Sequence, residues 1–408
     1  MRNVYTCIDI GSDSIKIVVC ELYHGRYNLL ATATIKSKGI KKGLITDVLE
    51  AKNCIKKCFN DIESILGFKI KKVIAIIPSY FSEFNMIKGE IEIQDSHVSG
   101  KDIVNVLQNA MRKSLEVTKE MVTIIPIDFS LDNEITKFPL GKITKNLRAR
   151  AIMVSVPKKN IYSVVELLNS IGITAVDISL GCIGDINTFR DENVDQTISC
   201  VINIGSEKTE VSLYNKGIIV KQNIINMGSK NVDNDIAYIY KVDIETAKEL
   251  KEKFAIINKN SAALNEVKDI SCKDGQVIKV NQYELSEIVV SRINEILTLA
   301  NQEINSLSSH KPNYIFVTGG ITNMNNFNQI CREKLGKCAI IGSVNLIGLR
   351  NNKFSSAIGN IIYFVNKLKL QGEDYSMIDS NDMESLVTPK KSNNDSMLGK
   401  LFGYFFSE

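Results

Sequence analysis

The sequence is poor in features that would place it in several common classes of protein. Its three histidines, His24, His97 and His310, lie far apart, which argues against a histidine metal site. Its nine cysteines include no CxxC pair and accompany no secretion signal, so a reduced cytosolic protein is expected rather than a disulfide framework. The formal net charge of +4 on 408 residues predicts no strong attraction to nucleic acid. No apolar run reaches the roughly 18 residues that span a bilayer, so any membrane contact is expected at the surface.

One stretch near the N-terminus, CIDIGSDSIKI at residues 7–17, predicts a strand, a tight turn at Gly11 and a returning strand. Glycine there lets the backbone reach φ > 0 and approach a ligand, and Ser12 and Ser14 leave backbone N–H groups free for a phosphate. Many plain hairpins have Gly-Ser turns as well. However, INIGSEKTEV at residues 202–211 aligns with residues 8–17 without a gap. Repetition at such long spacing predicts two related lobes, and 408 residues exceed one compact core.

The rest of the chain alternates predicted strands and helices. A helix should begin after Asp47, because Asp47 can cap it and Glu50 stands at the capping-box position. Asn281 is the corresponding cap of a long amphipathic helix. The other predicted strands are 27–36, 72–77, 173–178, 218–226 and 314–317, and the predicted helices include 231–240, 245–254, 283–305 and 355–368.

Residues 79–171 predict a separate small α+β subdomain inserted in the first lobe. Isoleucines alternate with charged residues at 87–93, which is typical of a strand with one wet face. A helix near 101–113, strands near 122–126 and 148–156, and a helix opened by Pro157 complete the unit.

The C-terminal region predicts a linker and an amphipathic helix. Residues 371–396 are rich in Asp, Ser, Asn and Glu, which predicts a disordered linker. On a helix, the apolar residues that follow occupy one face, opposite Gly399, Lys400 and Gly403, so 397–408 is predicted to lie in a bilayer interface. Docking of the tail on the protein's own core is the alternative. The apolar face comprises Met397, Leu398, Leu401, Phe402, Phe405 and Phe406.

Three glycine turns at predicted strand ends suggest a nucleotide site: Gly11, Gly205 and Gly319-Gly320. A nucleotide held between two lobes needs one phosphate loop from each lobe and a third turn that can approach adenosine. Glycine allows that close approach and leaves N–H donors available. Each turn alone is more often structural, but the three together favour a nucleotide.

The order of these motifs resembles the actin-like ATPase superfamily, and the detail is similar to the FtsA family of bacterial cell-division proteins. The first phosphate motif is IDIGS at 8–12, and the second is INIGS at 202–206. VTGG at 317–320 matches the adenosine motif, and SSAIGN at 355–360 matches the second connecting motif. More specific to FtsA are IPIDF at 125–129 and PLG at 139–141. The resemblance covers residues 4–370 and the tail.

The resemblance implies an α/β fold of two lobes, actin-like and duplicated from a ribonuclease-H-like unit, with the small α+β insert in place of the usual fourth quarter. It implies ATP and Mg²⁺ in the cleft, self-assembly into filaments, and binding to the C-terminal tail of FtsZ and to the membrane lipid surface. The expected location is cytoplasmic, peripheral on the inner face of the cell membrane at the division site. The implied boundaries are 1–78 with 172–198 and 199–227 with 309–370 for the two lobe cores, 79–171 for the insert, and 228–308 for the outer subdomain of the second lobe.

Three departures from the family pattern bear on hydrolysis. The usual acid of the second phosphate motif is Asn203, which lacks the charge that attracts a hard cation. Ser206 and Glu207 replace glycines, and Ile321 replaces the third glycine of the adenosine motif. The sequence therefore predicts nucleotide binding with weak or absent hydrolysis.

The candidate residues follow from the resemblance. Asp9 and Asn203 would face Mg²⁺ through water. Arg292 and Glu295 are candidates for the FtsZ tail, although a plain i, i+3 surface pair fits them equally. The nucleotide set comprises Gly11, Ser12, Asp13, Ser14, Lys16, Gly205, Ser206, Glu207, Lys208, Gly228, Lys248, Lys251, Gly319, Gly320 and Ile321.

Two other functions remain open from the sequence alone. A chaperone or sugar kinase of the same superfamily should have a catalytic acid in its cleft and no lipid-seeking tail, so Asn203 and residues 397–406 count against it. A pilus-assembly ATPase relative is a scaffold with a similar insert, but a linker with an amphipathic end favours FtsA.

Overall fold

A computed structural model of the chain describes residues 2–111, 116–132, 134–257, 262–272 and 275–387. The predicted lipid-binding segment, 397–408, and the end of the predicted linker, 388–396, lie outside the described residues. Within the described ranges, no helix combines the length and the apolarity needed to cross a membrane.

The first lobe begins with an antiparallel meander, followed by a helix and a parallel strand. The predicted cap of the helix is confirmed, since the Asp47 carboxylate accepts the N–H of Glu50 at 3.1 Å, and Gly67 ends the helix at φ 83°. Ile55 and Ile62 on that helix are fully buried against the sheet. The elements are β1 Arg2–Ile10, β2 Ser14–Tyr23, β3 Arg26–Lys36, β4 Ile40–Lys41, β5 Leu44–Ile45, α1 Val48–Leu66 and β6 Lys72–Ile77.

The inserted subdomain is an antiparallel sheet with one helix packed on it. Its elements are β7 Glu83–Glu92, α2 Gly100–Ala110, β8 Lys119–Ser130, β9 Ile135–Thr136 and β10 Asn146–Pro157, in the sheet order β7-β10-β8-β9. Ser99 and Asp102 form a capping box at the start of α2. Ile103, Phe129 and Leu147 are fully buried in a core of the insert's own.

Three elements return the chain to the first lobe: α3 Lys158–Asn169, β11 Thr174–Leu180 and α4 Gly181–Phe189. The sheet order of this lobe is β11-β6-β1-β2-β3. The predicted insert, 79–171, included α3. In the structure α3 packs on β6, β11 and α1 of the first lobe and also contacts β8 and β10 of the insert. Val164 and Leu168 of α3 are buried in the first-lobe core, so the insert's own sheet ends with β10 at Pro157.

The second lobe repeats the plan of the first. Its sheet order, β14-β13-β12-β17-β18, matches β3-β2-β1-β6-β11 strand for strand. The repeated hairpins share one register, because Asp9 pairs with Lys16 in the first and Asn203 with Glu210 in the second. The elements are β12 Ile198–Ile204, β13 Thr209–Asn215, β14 Ile218–Ile225, α5 Ser229–Tyr240, α6 Ile244–Lys253, β15 Val267–Ser271, β16 Val277–Asn281, α7 Gln282–Leu307, β17 Tyr314–Thr318, α8 Phe327–Leu335, β18 Ala339–Ile341 and α9 Ser355–Gln371.

Helices α4 and α9 cross in direct backbone contact where the lobes meet. A Cβ atom on Gly359 of α9 would lie 1.7 Å from the carbonyl oxygen of Gly184 on α4. A Cβ on Gly184 would lie 2.1 Å from the carbonyl oxygen of Ser356. The crossing therefore requires glycine on both helices.

The segment after α9 folds onto the first lobe, where the sequence predicted a disordered linker from residue 371. Met377 is 3% exposed, its N–H donates to the carbonyl oxygen of Val4 at 2.9 Å, and Ser376 Oγ accepts the N–H of Val4. Helix α10, Ser380–Val387, follows, and Met383 packs on the lobe's core. The prediction is wrong for this stretch because a few apolar residues among many polar ones are enough to dock it.

Candidate functional site

The ends of the two repeated hairpins form matching two-residue turns. The N–H of Gly11 donates to the carbonyl oxygen of Ser14 at 3.1 Å, and the N–H of Gly205 donates to that of Lys208 at 2.9 Å. A Cβ on either glycine would lie 2.9 Å from the same carbonyl oxygen. The predicted positive φ at Gly11 is wrong. Glycine is required there because the returning strand approaches so closely.

Each turn leaves backbone donors uncommitted. Within the parts of the chain that the structure describes, the N–H groups of Ser12, Asp13, Ser206 and Glu207 have no protein acceptor. Two adjacent free N–H groups at a turn form a concavity that suits an anion. The duplicated fold thus presents one potential phosphate loop from each lobe.

A third turn abuts the second hairpin. Gly319 has φ 106°, and a Cβ there would lie 2.2 Å from the carbonyl oxygen of Ile204 at the end of β12. Gly320 has more room, since its Cβ would meet only Cβ of Lys353, at 3.9 Å. Ile321 is 5% exposed in the second-lobe core, so its place in the predicted nucleotide set is corrected.

Gly228 supports the second turn. A Cβ on Gly228 would lie 2.4 Å from the carbonyl oxygen of Ser206. The first N–H groups of α5, from Ser229 and Lys230, donate to the carbonyl oxygens of Gly205 and Ser206 at 2.9 and 2.8 Å. These two hydrogen bonds fix the second turn. Gly228 allows them to form, because a side chain at this position would collide with Ser206.

The predicted Mg²⁺ residues do not fit a divalent cation as they are placed. Nζ of Lys16 lies 2.5 Å from Oδ2 of Asp9, so a lysine already neutralises the first carboxylate. Asn203 uses its Nδ2 as a donor to Asp185. Among the described residues, no group of three or more His, Cys, Asp or Glu side chains is arranged to hold a metal.

Two turn acids link the lobes across the cleft. Oδ1 of Asp13 lies 2.7 Å from Nζ of Lys248 on α6 of the second lobe. In the opposite direction, Glu207 accepts the N–H of Lys42 in the first lobe at 2.6 Å and pairs with Lys230 at 2.7 Å. Burial raises the pKa of Glu207, but the hydrogen bonds from Lys230 and from the Lys42 N–H lower it by more. The net effect is a pKa below the ordinary value for glutamate.

These contacts and a Lys36–Glu245 pair draw the lobes together at the cleft. Two surface hollows of the described residues lie elsewhere, one beside Asn326 at the start of α8 and one between Lys69 and the C-terminal segment. A ligand that enters between the turns would compete with the Asp13–Lys248 and Glu207–Lys42 contacts.

A lysine–glutamate pair of the second lobe also contacts the first lobe, at Ser79. Nζ of Lys208 lies 2.6 Å from Oε1 of Glu210 and 3.1 Å from Oγ of Ser79 in the first lobe, and Ser79 also hydrogen-bonds Glu210. Burial raises the pKa of Glu210, but the Lys208 ammonium more than offsets it. Lys208 also lies 4.8 Å from the ring centroid of Tyr80.

Beside this pair, a buried carboxylate joins α4, β12 and α9. Asp185 is 1% exposed, and Oδ2 accepts Nδ2 of Asn203 at 2.7 Å. Oδ1 accepts the hydroxyls of Ser355 and Ser356 at 2.7 and 2.8 Å. Burial raises the pKa of Asp185 to about 6 in spite of these donors. Asp185 was not among the predicted site residues, although Ser355 and Ser356 lie in the second connecting motif.

Two residues that were predicted to bind a ligand or partner are already paired with carboxylates of the protein. Lys251 is 3% exposed and pairs with Asp233 at 2.6 Å, so its predicted contact with the nucleotide is corrected. Arg292 donates Nε and Nη2 to both carboxylate oxygens of Asp235, at 2.6 and 3.0 Å, and pairs with Glu295. A partner's carboxylate would compete with Asp235 for the guanidinium.

Comparison with family models matches two parts of the chain. A model described as "Cell division protein FtsA" matches residues 200–359, and one described as "SHS2 domain inserted in FTSA" matches residues 83–155. The second range lies within β7 to β10, which agrees with the observed limits of the insert.

Curated relatives match most of the chain. The cell division protein FtsA of Staphylococcus epidermidis is 27% identical over 368 residues, which cover 88% of this chain and 78% of that protein. The cell division protein FtsA of Bacillus subtilis is 23% identical over 377 residues, covering 91% and 86%.

Solved structures share the fold at low identity. The PilM–PilN type IV pilus biogenesis complex has a TM-score of 0.59 at 13% identity and covers 90% of this chain and 98% of that one. MreB5 of Spiroplasma citri bound to ADP has a TM-score of 0.53 at 12% identity, covering 90% and 98%. The fold is therefore actin-like, as the sequence predicted.

Proposed function

The chain belongs to the FtsA family of cell-division proteins, and we propose that it is a nucleotide-binding adaptor that tethers FtsZ filaments to the cytoplasmic membrane. The family assignment favours this function over the pilus-assembly, chaperone and kinase alternatives. The proposal has three parts: a nucleotide in the cleft, a lipid-binding tail, and a protein-binding surface on the second lobe.

Nucleotide binding rests mainly on the matched turns at Gly11 and Gly205. Both present two uncommitted N–H groups, and they belong to lobes that already touch through Asp13 and Lys248. The relative of similar fold that was solved with ADP supports an adenine nucleotide. ATP would take the cleft with its phosphates between the turns and its adenosine towards Gly319 and Gly320.

Slow or absent hydrolysis rests on Asn203 and its surroundings. Its amide is held by Asp185, and the charge of that carboxylate is buried among hydroxyl donors rather than open to a water molecule. Asp9 is neutralised by Lys16. No step through Mg²⁺ is part of the proposal, because the carboxylates present do not fit that ion.

Equilibrium titration with ATP, with Mg²⁺ and with EDTA, tests this part together with phosphate release. We expect a Kd between about 1 µM and 1 mM in both buffers and turnover far below the roughly 1 s⁻¹ of slow ordinary enzymes. Ser12→Pro, which removes one turn N–H, should weaken binding at least about tenfold. Ser12→Ala keeps that N–H and serves as the control. Turnover of many per second, or equal binding by the Pro variant, would refute the assignment.

Membrane attachment is proposed from the sequence pattern of the tail. The apolar face from Met397 to Phe406 includes three phenylalanines and one neighbouring lysine, Lys400. Burial of each large apolar side chain contributes about 1.5–3 kcal/mol before ordering costs, so hydrophobic contact should dominate over charge. The protein would then be peripheral on the inner face of the membrane.

FtsZ binding is proposed for the outer subdomain of the second lobe. Arg292 and Glu295 lie on α7, and Asp235, the bidentate partner of Arg292, lies on α5. Tyr238 and Ile239, one turn further along α5, are 86% and 51% exposed. An apolar peptide with an acidic group could cover these two side chains and share Arg292.

Self-assembly is proposed to use the inserted subdomain. Ile135, Phe138 and Ile143 at one end of that subdomain are each at least 70% exposed. Apolar exposure of this kind is typical of a protein-contact surface.

A further inference from the structure

Three lysine side chains from separate elements converge beside the first turn. Lys16 comes from β2, Lys248 from α6 of the second lobe, and Lys353 from the turn that precedes α9. Nζ of Lys16 would lie 3.6 Å from a Cβ on Gly11, which places its ammonium at the phosphate loop itself. Lys353 lies against the third turn, with its Cβ 3.9 Å from the position of a Cβ on Gly320.

Two of these cations are neutralised and one is not. Lys16 has Asp9 at 2.5 Å, and Lys248 has Asp13 at 2.7 Å. In the part of the chain that the structure describes, Lys353 has no carboxylate within 4 Å. Its ammonium lies over the face of the Phe354 ring, 5.0 Å from the centroid.

The environment of Lys353 is unfavourable for a lone cation. Burial lowers the pKa of its ammonium, and the positive charges of Lys16 and Lys248 lower it further, against the opposing effects of the Asp13 and Glu252 carboxylates. A half-buried cation beside two like charges gains most from an anion that reaches all three.

We propose that Lys353 is an anion-binding residue of the cleft and takes a phosphate group of the bound adenine nucleotide. This inference rests on the proposed nucleotide binding and adds a residue that the phosphate and adenosine motifs do not contain. A phosphate chain that runs from Gly320 towards the Ser12–Asp13 turn would pass Lys353 and then Lys16. It would also release Lys248 from Asp13 and give it a new anionic partner. Lysines would thus supply the positive charge at this site.

The test compares wild type, Lys353→Met and Lys353→Arg by calorimetric titration with adenosine, AMP, ADP and ATP. Methionine keeps most of the apolar stem and removes the charge, so the fold should be preserved, which a thermal melt checks. Lys353→Gln is the second neutral variant. Lys334→Met, at an exposed lysine on α8, controls for the loss of one surface charge.

The expected result is a loss of ATP affinity of about 10-fold to 100-fold in both neutral variants, as for one charge-assisted contact. Adenosine affinity should stay within about twofold of wild type, and Lys353→Arg should recover most of the ATP affinity. Equal loss of adenosine would mean that Lys353 only supports packing, and unchanged ATP affinity would overturn the inference while the proposed nucleotide binding stands. Absence of ATP binding by the wild type would overturn both.

Discussion

At the scale of single residues, a carboxylate stands beside the position where the second phosphate motif lacks one. Asn203 lies near the end of β12, and its Nδ2 donates to Oδ2 of Asp185 on α4 at 2.7 Å. The charge is therefore kept in the cleft but fixed by two serines and an amide, at 1% exposure. A side chain held in this way joins three elements instead of orienting water.

The pH dependence of stability tests this role of Asp185. Its pKa in the folded protein is about 6, above the ordinary 3.8, so the folded state binds the proton more tightly than the unfolded state. The resulting stabilisation is present below pH 3.8 and is lost as pH rises to about 6. Relative to Asp185→Asn, which does not titrate, wild type should lose about 3 kcal/mol of unfolding free energy over that window.

Urea unfolding of both proteins at pH 4, 5, 6 and 7 measures this difference. Asp243→Asn is a suitable control, because that carboxyl is exposed at a helix cap and its pKa is lowered. A difference between wild type and Asp185→Asn that stays constant from pH 4 to pH 7 would contradict the account.

Residue-level chemistry could be predicted from sequence only where the partners are close along the chain. The Asp47 cap and the candidate turn residues were predicted because each depends on neighbours within a few positions. Lys251 was placed wrongly, since its partner Asp233 lies on another helix. Lys42 and Glu207 meet across 165 positions, and no local pattern shows such a pair.

At the scale of elements, the α4–α9 crossing fixes how the lobes join. Gly184 and Gly359 allow the two backbones to touch, and Ser355 and Ser356 beside them bind Asp185. Helix α4 was not predicted, because its residues from Cys182 to Asn187 are buried on every side and show no helical period. Strand β15 and strand β16 were also missed.

Substitution of two glycines on the same helix tests the crossing. Gly184→Ala places a methyl group 2.1 Å from a carbonyl oxygen of α9, so it should lower the free energy of unfolding by about 1–3 kcal/mol or more. Gly181→Ala is the matched control, because its methyl group would lie 3.5 Å from Oγ of Ser356, an ordinary contact. Urea denaturation measures both. Equal stability of the two variants would show that the helices can separate without cost.

At the scale of the whole molecule, the duplicated hairpin correctly predicted two lobes of one plan. The sequence also predicted the insert, but placed its end at residue 171. Helix α3 begins directly after β10 and Pro157, and nothing in the sequence separates this helix from the insert. The order of the segment up to Val387 was missed because Met377 and Met383 are isolated apolar residues in a polar stretch.

The docked segment shortens the proposed tether. Only residues 388–396 separate α10 from the predicted lipid-binding tail, and nine residues span at most about 30 Å. The folded part of the protein would therefore be held near the membrane surface. FtsZ bound to its second lobe would lie near the membrane as well.

Vesicle flotation with FtsZ measures directly whether this protein connects FtsZ to lipid, as proposed. Wild type should carry FtsZ to the top of the gradient with phosphatidylcholine vesicles, while FtsZ alone stays at the bottom. Phe402→Glu with Phe405→Glu should leave both proteins at the bottom, because the apolar face loses its insertion energy. Gly399→Glu with Gly403→Glu adds the same charge on the opposite face and should retain more binding. FtsZ that stays at the bottom with wild type, or floats equally with the phenylalanine variant, would contradict the account.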